Sequence, residues 1–552
     1  MAEQIVHTNR APRQGAAPVI LDDPRRRRSV LVGVCLALMA VVASVSGLNV
    51  AQPQIALEFG ASLSTVIWII NVYTVSLAAL LLPLGAIGDR WGRKPVLLTG
   101  LALFGIANLA AGLAPTAEIL LATRLASGVG AAMIMPVTLA VITSTFPDEE
   151  RSRAIGVWTG VAGGGGILGM FLSAALVDVA SWRWLFVLPI LLVVAATVVT
   201  LRSVPDSRED AQHDFDTVGS LLSMVAVVGL ILVLDEGPVR GWTAPVTLVS
   251  MLVAVVGVTG FLTWELRRRV PLLDVRLFRD RGLASGSAAL LVIFGVQAGI
   301  FVVVFPYLQA VLGWSGLRST LALLPTMLVM MVASGLAPRV AAHIGSRSTM
   351  VVGIVVGAAG VALMAGLVSV DGGYLSILPG MLAMGLGMGV TMTPATEAIT
   401  SSLPRERQGV ASALNDVTRE LGTALGVALL GAILAVGYRS AIEPRLNGIP
   451  ADVAGTARQG IANAVAAADT AGPQSQAVIH AAQQSFVTGW QQAMWVGAGV
   501  LAVVLVYILV RGPERTPPRS AATAGAPGSA PSSADAVPAP PKPTADGSQE
   551  IS

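Results

Sequence analysis

Charge is scarce in this chain. Asp, Glu, Lys and Arg make up 12% of its 552 residues, against about 25% in a soluble protein. A soluble fold of this length could not cover its surface with so few charges. The 54% of apolar residues and the mean hydropathy of +0.74 point the same way. Cysteine is nearly absent. Cys35 stands alone in an apolar stretch, which excludes a disulfide framework and a cysteine-based metal site. The histidines His7, His213, His343 and His480 are scattered and offer no ligand cluster. Lysine occurs only as Lys94 and Lys542, while Arg, Ala, Gly and Val abound; we read that as the codon bias of a GC-rich bacterial genome. The phosphate-binding pattern Gly-x-x-x-x-Gly-Lys-Ser/Thr does not occur, so ATP is not the direct energy source. Most soluble enzyme classes are excluded at once, and a polytopic membrane protein remains.

A membrane-crossing helix needs roughly 20 apolar residues. Fourteen such runs can be counted, at about 29–51, 66–87, 96–113, 118–141, 154–177, 184–201, 217–234, 246–264, 283–305, 320–340, 349–368, 375–396, 410–436 and 491–510. Continuous runs of this length read as helices, because hydrocarbon forces the backbone to bond internally. The distribution of basic residues then sets the orientation. With a cytoplasmic N-terminus, 27 basic residues fall on the cytoplasmic side, from Arg25–Arg28 through Arg267–Arg269 to the C-terminal tail. Six fall outside: Arg183, Arg240, Arg318, Arg439, Arg445 and Arg458. Both ends are therefore expected in the cytoplasm. A cleaved signal peptide does not fit, since the first apolar run is too long for one. Residues 1–28 form a basic arm. Residues 437–489 are Ala- and Gln-rich, suited to short amphipathic helices outside, and the Pro/Ala/Ser/Gly-rich tail 511–552 is expected to be disordered.

An ionisable residue at the centre of a span costs roughly 2.5–3.5 kcal/mol on insertion scales, so each needs a reason. Arg124 lies in the fourth span, followed by Gly128, Gly130, Ala131 and Ala132, which permit close helix packing. It either snorkels to the near helix end or acts as a fixed cation toward a carboxylate or a polar substrate group. In the thirteenth span, Asp416, Arg419 and Glu420 are spaced to let two carboxylates share one Arg, either as a surface ion pair or as a latch. Asn49, Gln52, Asn71, Tyr73 and Gln297 are polar groups in apolar spans, suited to lining a cavity. After the second span the chain reads Gly85-Ala-Ile-Gly88-Asp89-Arg90-Trp-Gly92-Arg93-Lys94. The arginines and lysine suit a helix C-terminus, whose dipole is negative, but Asp89 does not. It needs a partner, a loop Arg or the N-terminus of another helix, and such a contact could form in one conformation and break in another.

That loop resembles the signature between spans two and three of the major facilitator superfamily. Arg124 to Ala132 looks like the family's fourth-span motif, whose Arg is tied to proton transfer. Leu48-Asn49-Val50-Ala51-Gln52-Pro53, Trp68 to Tyr73, Ser181-Trp182-Arg183-Trp184, Ala411 to Gly426 and Phe486 to Gly489 resemble the fourteen-span drug/proton antiporters of that family. The match runs over about 29–510. A fainter echo of the span-two loop, Gly335 to Arg347, carries Arg339 and Arg347 but no Asp. The chain departs from the pattern at two places. Ser44 stands where the family has a first-span Asp, and the fifth-span antiporter motif keeps Gly165 and Gly169 but has Met170 in place of Pro and Ser173-Ala174 in place of Gly-Gly.

The resemblance implies an all-α major facilitator fold: six-helix bundles over 29–201 and 283–510, with two extra spans over 217–264. It implies a non-enzymatic, proton-coupled exporter of drugs or amphipathic small molecules, working by alternating access. It would sit as a monomer in the bacterial cell membrane, driven by the proton gradient, with no cofactor, metal or nucleic-acid partner. Gly85, Asp89, Arg90, Gly92 and Arg93 would form the gating loop, Arg124 would couple to the proton, and Asp416, Arg419 and Glu420 would form a second latch. Gly165 and Gly169 would be the fifth-span hinge. With Ser44 in place of Asp, the proton would have to ride on another acid, and Asp89, Asp178, Asp235, Asp416 and Glu420 remain. A permease or a dedicated exporter of a metabolite, self-made antibiotic or lipid would share the fold. A polytopic enzyme acting on lipids would need an acid pair, His cluster or metal ligands at one membrane face, for which the loops are too short and too poor in such residues.

Overall fold

The computed structural model describes residues 20–179, 181–206, 215–468 and 472–513, so both outer tails and His213 lie outside the described residues. Every regular element among those described is helical. In chain order the α-helices are α1 (Pro24–Phe59), α2 (Leu63–Trp91), α3 (Arg93–Gly112), α4 (Ala117–Thr145), α5 (Asp148–Val179), α6 (Val187–Ser203), α7 (Thr217–Arg240), α8 (Pro245–Arg267) and α9 (Arg281–Pro306). They continue as α10 (Gly316–Leu321), α11 (Leu324–Ile344), α12 (Ser346–Leu367), α13 (Gly373–Ser401), α14 (Gln408–Ile442), α15 (Ala451–Ala457), α16 (Ile461–Ala468) and α17 (Ser475–Arg511). Among the described residues, 14 helical stretches are long and apolar enough to cross a membrane, α10 and α11 together making the tenth.

Hydropathy marks the bilayer, whereas the helices overrun it. The first apolar run starts near residue 29, but α1 starts at Pro24, where proline needs no partner for the N–H it lacks. The Asp23 side chain caps that end by accepting from the Arg25 N–H at 2.9 Å.

α1 packs on α5 and α6, α4 on α2 and α3, and α3 on α6, forming one six-helix bundle. α9 packs on α13, α14 and α17, α12 on α13 and α17, and α11 on α13, forming the second. The extra spans α7 and α8 pair with each other, and α7 leans on α2 and α14. Their crossing is close because glycine faces backbone in both directions: a Cβ on Gly229 would lie 2.5 Å from the Ala254 nitrogen, and one on Gly257 2.6 Å from that of Ala226. Across the seam between the bundles, α5 meets α11 and α13, while α2 and α4 meet α14.

An even number of spans returns both ends of the described chain to one face, which also carries most of the arginines. This is the basic face below. On the opposite face the Glu58 carboxylate accepts from Trp182 Nε1 at 2.5 Å and from Arg183 Nη2 at 2.7 Å. Those hydrogen bonds, the Trp182 one foremost, hold its carboxyl below the usual range. In the segment 437–489, α14 runs on to Ile442, and α15 and α16 bury Val453, Ala457, Ile461 and Ala464. These are the short helices expected there.

Candidate functional site

The junction between α2 and α3 ties the two bundles together. Gly92 turns the chain with φ 106° and ψ 133°, a conformation that favours glycine. Asp89, only 2% exposed, accepts on Oδ1 from Arg93 Nη2 at 2.8 Å and Nε at 3.2 Å. The same carboxylate accepts from the backbone N–H of Gly409 at 2.7 and 2.8 Å and of Val410 at 3.2 Å. These are first-turn donors of α14, free of intrahelical partners and at the positive end of its dipole. Asp89 thus has both kinds of partner that its position asks for. Arg93 reaches on to the carbonyls of Arg405 at 3.1 Å and Glu406 at 3.4 Å. The approach depends on small residues, since a Cβ on Gly85 would lie 2.5 Å from the Gly409 carbonyl oxygen. Arg90 is half-buried beside this contact.

Three further contacts close the seam on the basic face, and none was legible as a motif. Arg405 pairs with Asp148 at 2.6 Å. Ser152 donates to Glu397 at 2.5 Å. Deeper, the hydroxyls of Thr159, Ser334 and Thr393 form a buried triangle, with Thr159 lying 2.6 Å from Ser334 and 2.9 Å from Thr393.

Above this closure lies a cavity of about 940 Å³ between the bundles. It runs from Met135, Met330 and Met388 at mid-depth to Gln52, Gln309 and Gly316 near the helix ends of the opposite face. Phe294, Phe301 and Phe305 of α9 form one wall. Few polar groups interrupt it: Gln52, Gln297, Gln309, four threonines, Arg419 and Glu420. An apolar, aromatic wall with a few polar anchors suits an amphipathic small molecule, and methionines let the wall adapt to shape.

The expected lining residues divide. Gln52 and Gln297 are in the wall. Asn71 and Tyr73 point elsewhere. Asn71 turns outward to α7 and donates to Asp235 Oδ2 at 3.4 Å. Tyr73 is fully buried below Arg124, its hydroxyl donating to the Val41 carbonyl at 3.2 Å. The side chains of Asn49 and Asp178 lie outside those described. Arg419 and Glu420, expected in a second latch, line the cavity instead. Asp416 is fully buried and Arg419 7% exposed, so they are no surface pair. Arg419 Nη1 approaches Asp416 Oδ1 at 3.5 Å, and its guanidinium lies 4.5 Å from the Phe294 ring centre. Glu420 makes no ion pair among the described residues. Two carboxylates therefore do not share this Arg; one does, and the other faces the cavity.

Arg124 does not snorkel. It is 0% exposed, with Nη1 donating to Ser44 Oγ at 3.0 Å and Nη2 to the Ser44 carbonyl at 3.4 Å. Its guanidinium sits 4.2 Å from the Tyr73 ring centre. Ser44 passes the contact on to Asn108 Oδ1 at 3.2 Å. No carboxylate pairs with Arg124 among the described residues, and its Nε has no partner. A buried cation without a counter-charge is costly, and here the Ser44 hydrogen bonds and the Tyr73 ring are what offset that cost.

The fifth span carries the two glycines expected to form a hinge. α5 runs unbroken from Asp148 to Val179, and its glycines make close contacts. A Cβ on Gly165 would lie 3.0 Å from Met39 Sδ, and one on Gly169 2.8 Å from Ala43 Cα, both on α1. In this structure they seat α5 against α1 rather than bend it.

A sequence profile of the Major Facilitator Superfamily matches residues 34–427. The multidrug resistance protein Stp of Mycobacterium tuberculosis is 29% identical over 87% of this chain and 91% of its own length. The multidrug efflux pump LfrA of Mycolicibacterium smegmatis is 32% identical over 84% of this chain and 92% of its own. Among solved structures, the human organic anion transporter MFSD10 shares the fold, with a TM-score of 0.56 at 14% identity, covering 88% of this chain and all of that one. Two six-helix bundles, a central cavity between them and a glycine-turned charge latch at the seam belong together, and this chain is a membrane transporter of the Major Facilitator Superfamily.

Proposed function

We propose that the protein exports drugs or other amphipathic small molecules across the bacterial cell membrane, in exchange for protons, by alternating access. The carrying observation is the aromatic, methionine-lined cavity, sealed on the basic face by Asp89, Arg93 and the α14 N-terminus and reaching toward the opposite face. Export as the direction is supported by relatives that are named for multidrug resistance and efflux. The basic-residue asymmetry supports a cytoplasmic basic face with both termini inside, so the closed seam faces the cytoplasm. The proton gradient is our choice of energy source. Glu420 in the cavity wall, with Arg419 next to it and Asp416 one turn away, supplies acids that a proton could occupy where the first span offers only Ser44. Arg124, which donates two hydrogen bonds to Ser44, is the fixed charge that would sense that exchange. One chain supplies both bundles and the whole cavity, which supports a working monomer.

Efflux of a panel of dyes and antibiotics from cells lacking their own pumps tests this, with and without a proton uncoupler. Wild-type efflux should be uncoupler-sensitive, and Arg124→Ala should lower it on the order of 10-fold, the scale of a coupling free energy. Arg124→Met, which keeps most of the volume, should unfold no more easily than wild type, because it removes an unpaired buried charge without leaving a large cavity. Intact proton-driven efflux in Arg124→Ala at normal expression would sink the coupling role. If no compound is moved, weight shifts to a dedicated metabolite or lipid carrier.

A further inference from the structure

The linker hairpin α7–α8 holds a polar cluster that neither the cavity nor the latch uses. Asp216, 5% exposed, caps α7: its Oδ1 accepts from the Gly219 N–H at 2.9 Å and from Trp264 Nε1 of α8 at 3.0 Å. Glu265, the next residue of α8, is 1% exposed. Its Oε2 accepts from the Leu273 N–H at 3.3 Å, while Oε1 is buried with no partner. The two acids converge on Gly219. A Cβ built there would lie 2.4 Å from Glu265 Oε1 and 2.8 Å from Asp216 Oδ2, so both oxygens border the space a side chain would fill.

Among the described residues no cation offsets them. Neither acid makes an ion pair among the described residues. The charged neighbours are engaged elsewhere or face solvent. Arg267 is exposed, and Arg268 lies 5.7 Å from the Trp264 ring centre. Arg276 donates to the Leu266 carbonyl at 2.7 Å, and Asp274 accepts from the Arg276 N–H at 3.0 Å. Asp280 caps α9 by accepting from the Leu283 N–H at 2.9 Å, with Arg281 exposed beside it. On α2, against which α7 leans, Asp89 is held by Arg93 and α14, with Arg90 next to it.

Two buried carboxylates that border one small space cannot both stay ionised without a counter-charge. We infer that Glu265 binds a proton at the base of the linker hairpin, on the unpartnered Oε1 that borders the same small space as Asp216 Oδ2. On release the O–H bond breaks, the proton passes to water at the basic face, and two like charges remain where α7 and α8 meet. Their repulsion pushes the basic ends of the hairpin apart. Because α7 packs on both α2 and α14, the helices that Asp89 joins, an empty pair loosens the support of that latch. The site thereby reads acidity on the basic face, apart from the transport cavity, and the inference does not rest on drug export.

Infrared titration of the purified full-length protein tests it directly. Wild type should show a protonated-carboxyl band that bleaches as pH rises, and that component should vanish in Glu265→Gln. Thermal stability of wild type should fall as pH rises through the same midpoint, because Glu265 in the folded chain holds a proton that the unfolded chain releases. Glu265→Gln should lack that fall. Asp216→Asn should move the same component to lower pH if Glu265→Gln does not fold, and carbon-13 labelling of glutamate in wild type shifts the band with no substitution at all. A titrating spectrum unchanged by both variants, or by the label, would overturn the inference. So would a pair whose band appears only when sodium or magnesium is removed, which would make it a metal site.

Discussion

The junctions α2–α3 and α11–α12 occupy equivalent places in the two bundles and share a plan. Both turn on a glycine with positive φ, Gly92 at 106° and Gly345 at 84°. Both follow it two residues later with a basic side chain that donates to a carbonyl near the end of the bundle's last helix, Lys94 to Leu201 and Arg347 to Leu509. Both present the preceding helix to a glycine of the other bundle, α2 to Gly409 and α11 to Gly156, whose added Cβ would meet the Ser334 carbonyl oxygen at 2.8 Å. They differ in how the crossing is sealed. The first uses the buried carboxylate of Asp89; the second uses the neutral hydroxyls of Thr159, Ser334 and Thr393.

The reason lies in where the receiving helix begins. α14 starts at Gln408, so the N–H groups of Gly409 and Val410 are unspent first-turn donors that attract an anion. α5 starts at Asp148, so the N–H of Gly156 lies inside the helix and is already bonded, and the first turn holds Asp148, Glu149 and Glu150. A buried acid has a partner at the first crossing and none at the second. The repeated fold therefore seals one crossing with a buried carboxylate and the other with buried hydroxyls, leaving the charges of the second, Asp148 with Arg405 and Glu397 with Ser152, outside its buried part.

The largest effect is expected at Asp89. Asp89→Asn leaves Arg93, 4% exposed, as an uncompensated buried cation, a loss of about 3–5 kcal/mol to the closed basic face. That is enough to invert a two-state population. Spin labels at Glu149 and Glu406, which are exposed on the two sides of the seam, with Cys35 replaced by serine, read the opening. The distance distribution should gain a longer component that dominates, and Asp89→Asn with Arg93→Gln should recover part of the short one. An unchanged distribution would show that the buried carboxylate does not hold the bundles together.

Removing buried hydroxyls from the second seam should do less. Ser334→Ala and Thr393→Val each delete one neutral hydrogen-bonding group, worth about 1 kcal/mol or roughly a five-fold change in the closed population. The same labels measure this, and an effect as large as that of Asp89→Asn would erase the distinction between the seams.

Much of this arrangement could be read from the chain alone, for physical reasons. Spans are legible because hydrocarbon demands long apolar runs, and the turn at Gly92 because its glycines and charges sit at fixed spacing. The acid at 89 announced a missing partner by standing at the wrong end of a helix dipole. What the sequence hides is direction around a helix. Gln52 and Gln297 face the cavity, yet Asn71 and Tyr73, in equally apolar surroundings, face α7 and Arg124. Thr159, Ser334 and Thr393 carry no signal because hydroxyls in apolar helices usually bond their own preceding turn. Asp216 and Glu265 look like ordinary charges at span ends, and only the close crossing of α7 and α8 brings them together.

The smallest effect is the sharpest test of why the seams differ. By register from Gly92 and Gly345, the counterpart of Asp89 is Ala342, which is exposed. If an acid at this position were sufficient for a latch, Ala342→Asp should tighten the second seam as Asp89 does the first. If the latch requires free N–H groups at the start of the facing helix, the new carboxylate finds only the acidic first turn of α5 and stays in water. Stability and the label distances should then remain within about 0.5 kcal/mol of wild type, as for most surface substitutions. A marked closing of the second seam would mean that charge alone makes the latch. No change would place its specificity in the eight residues by which α5 begins ahead of Gly156.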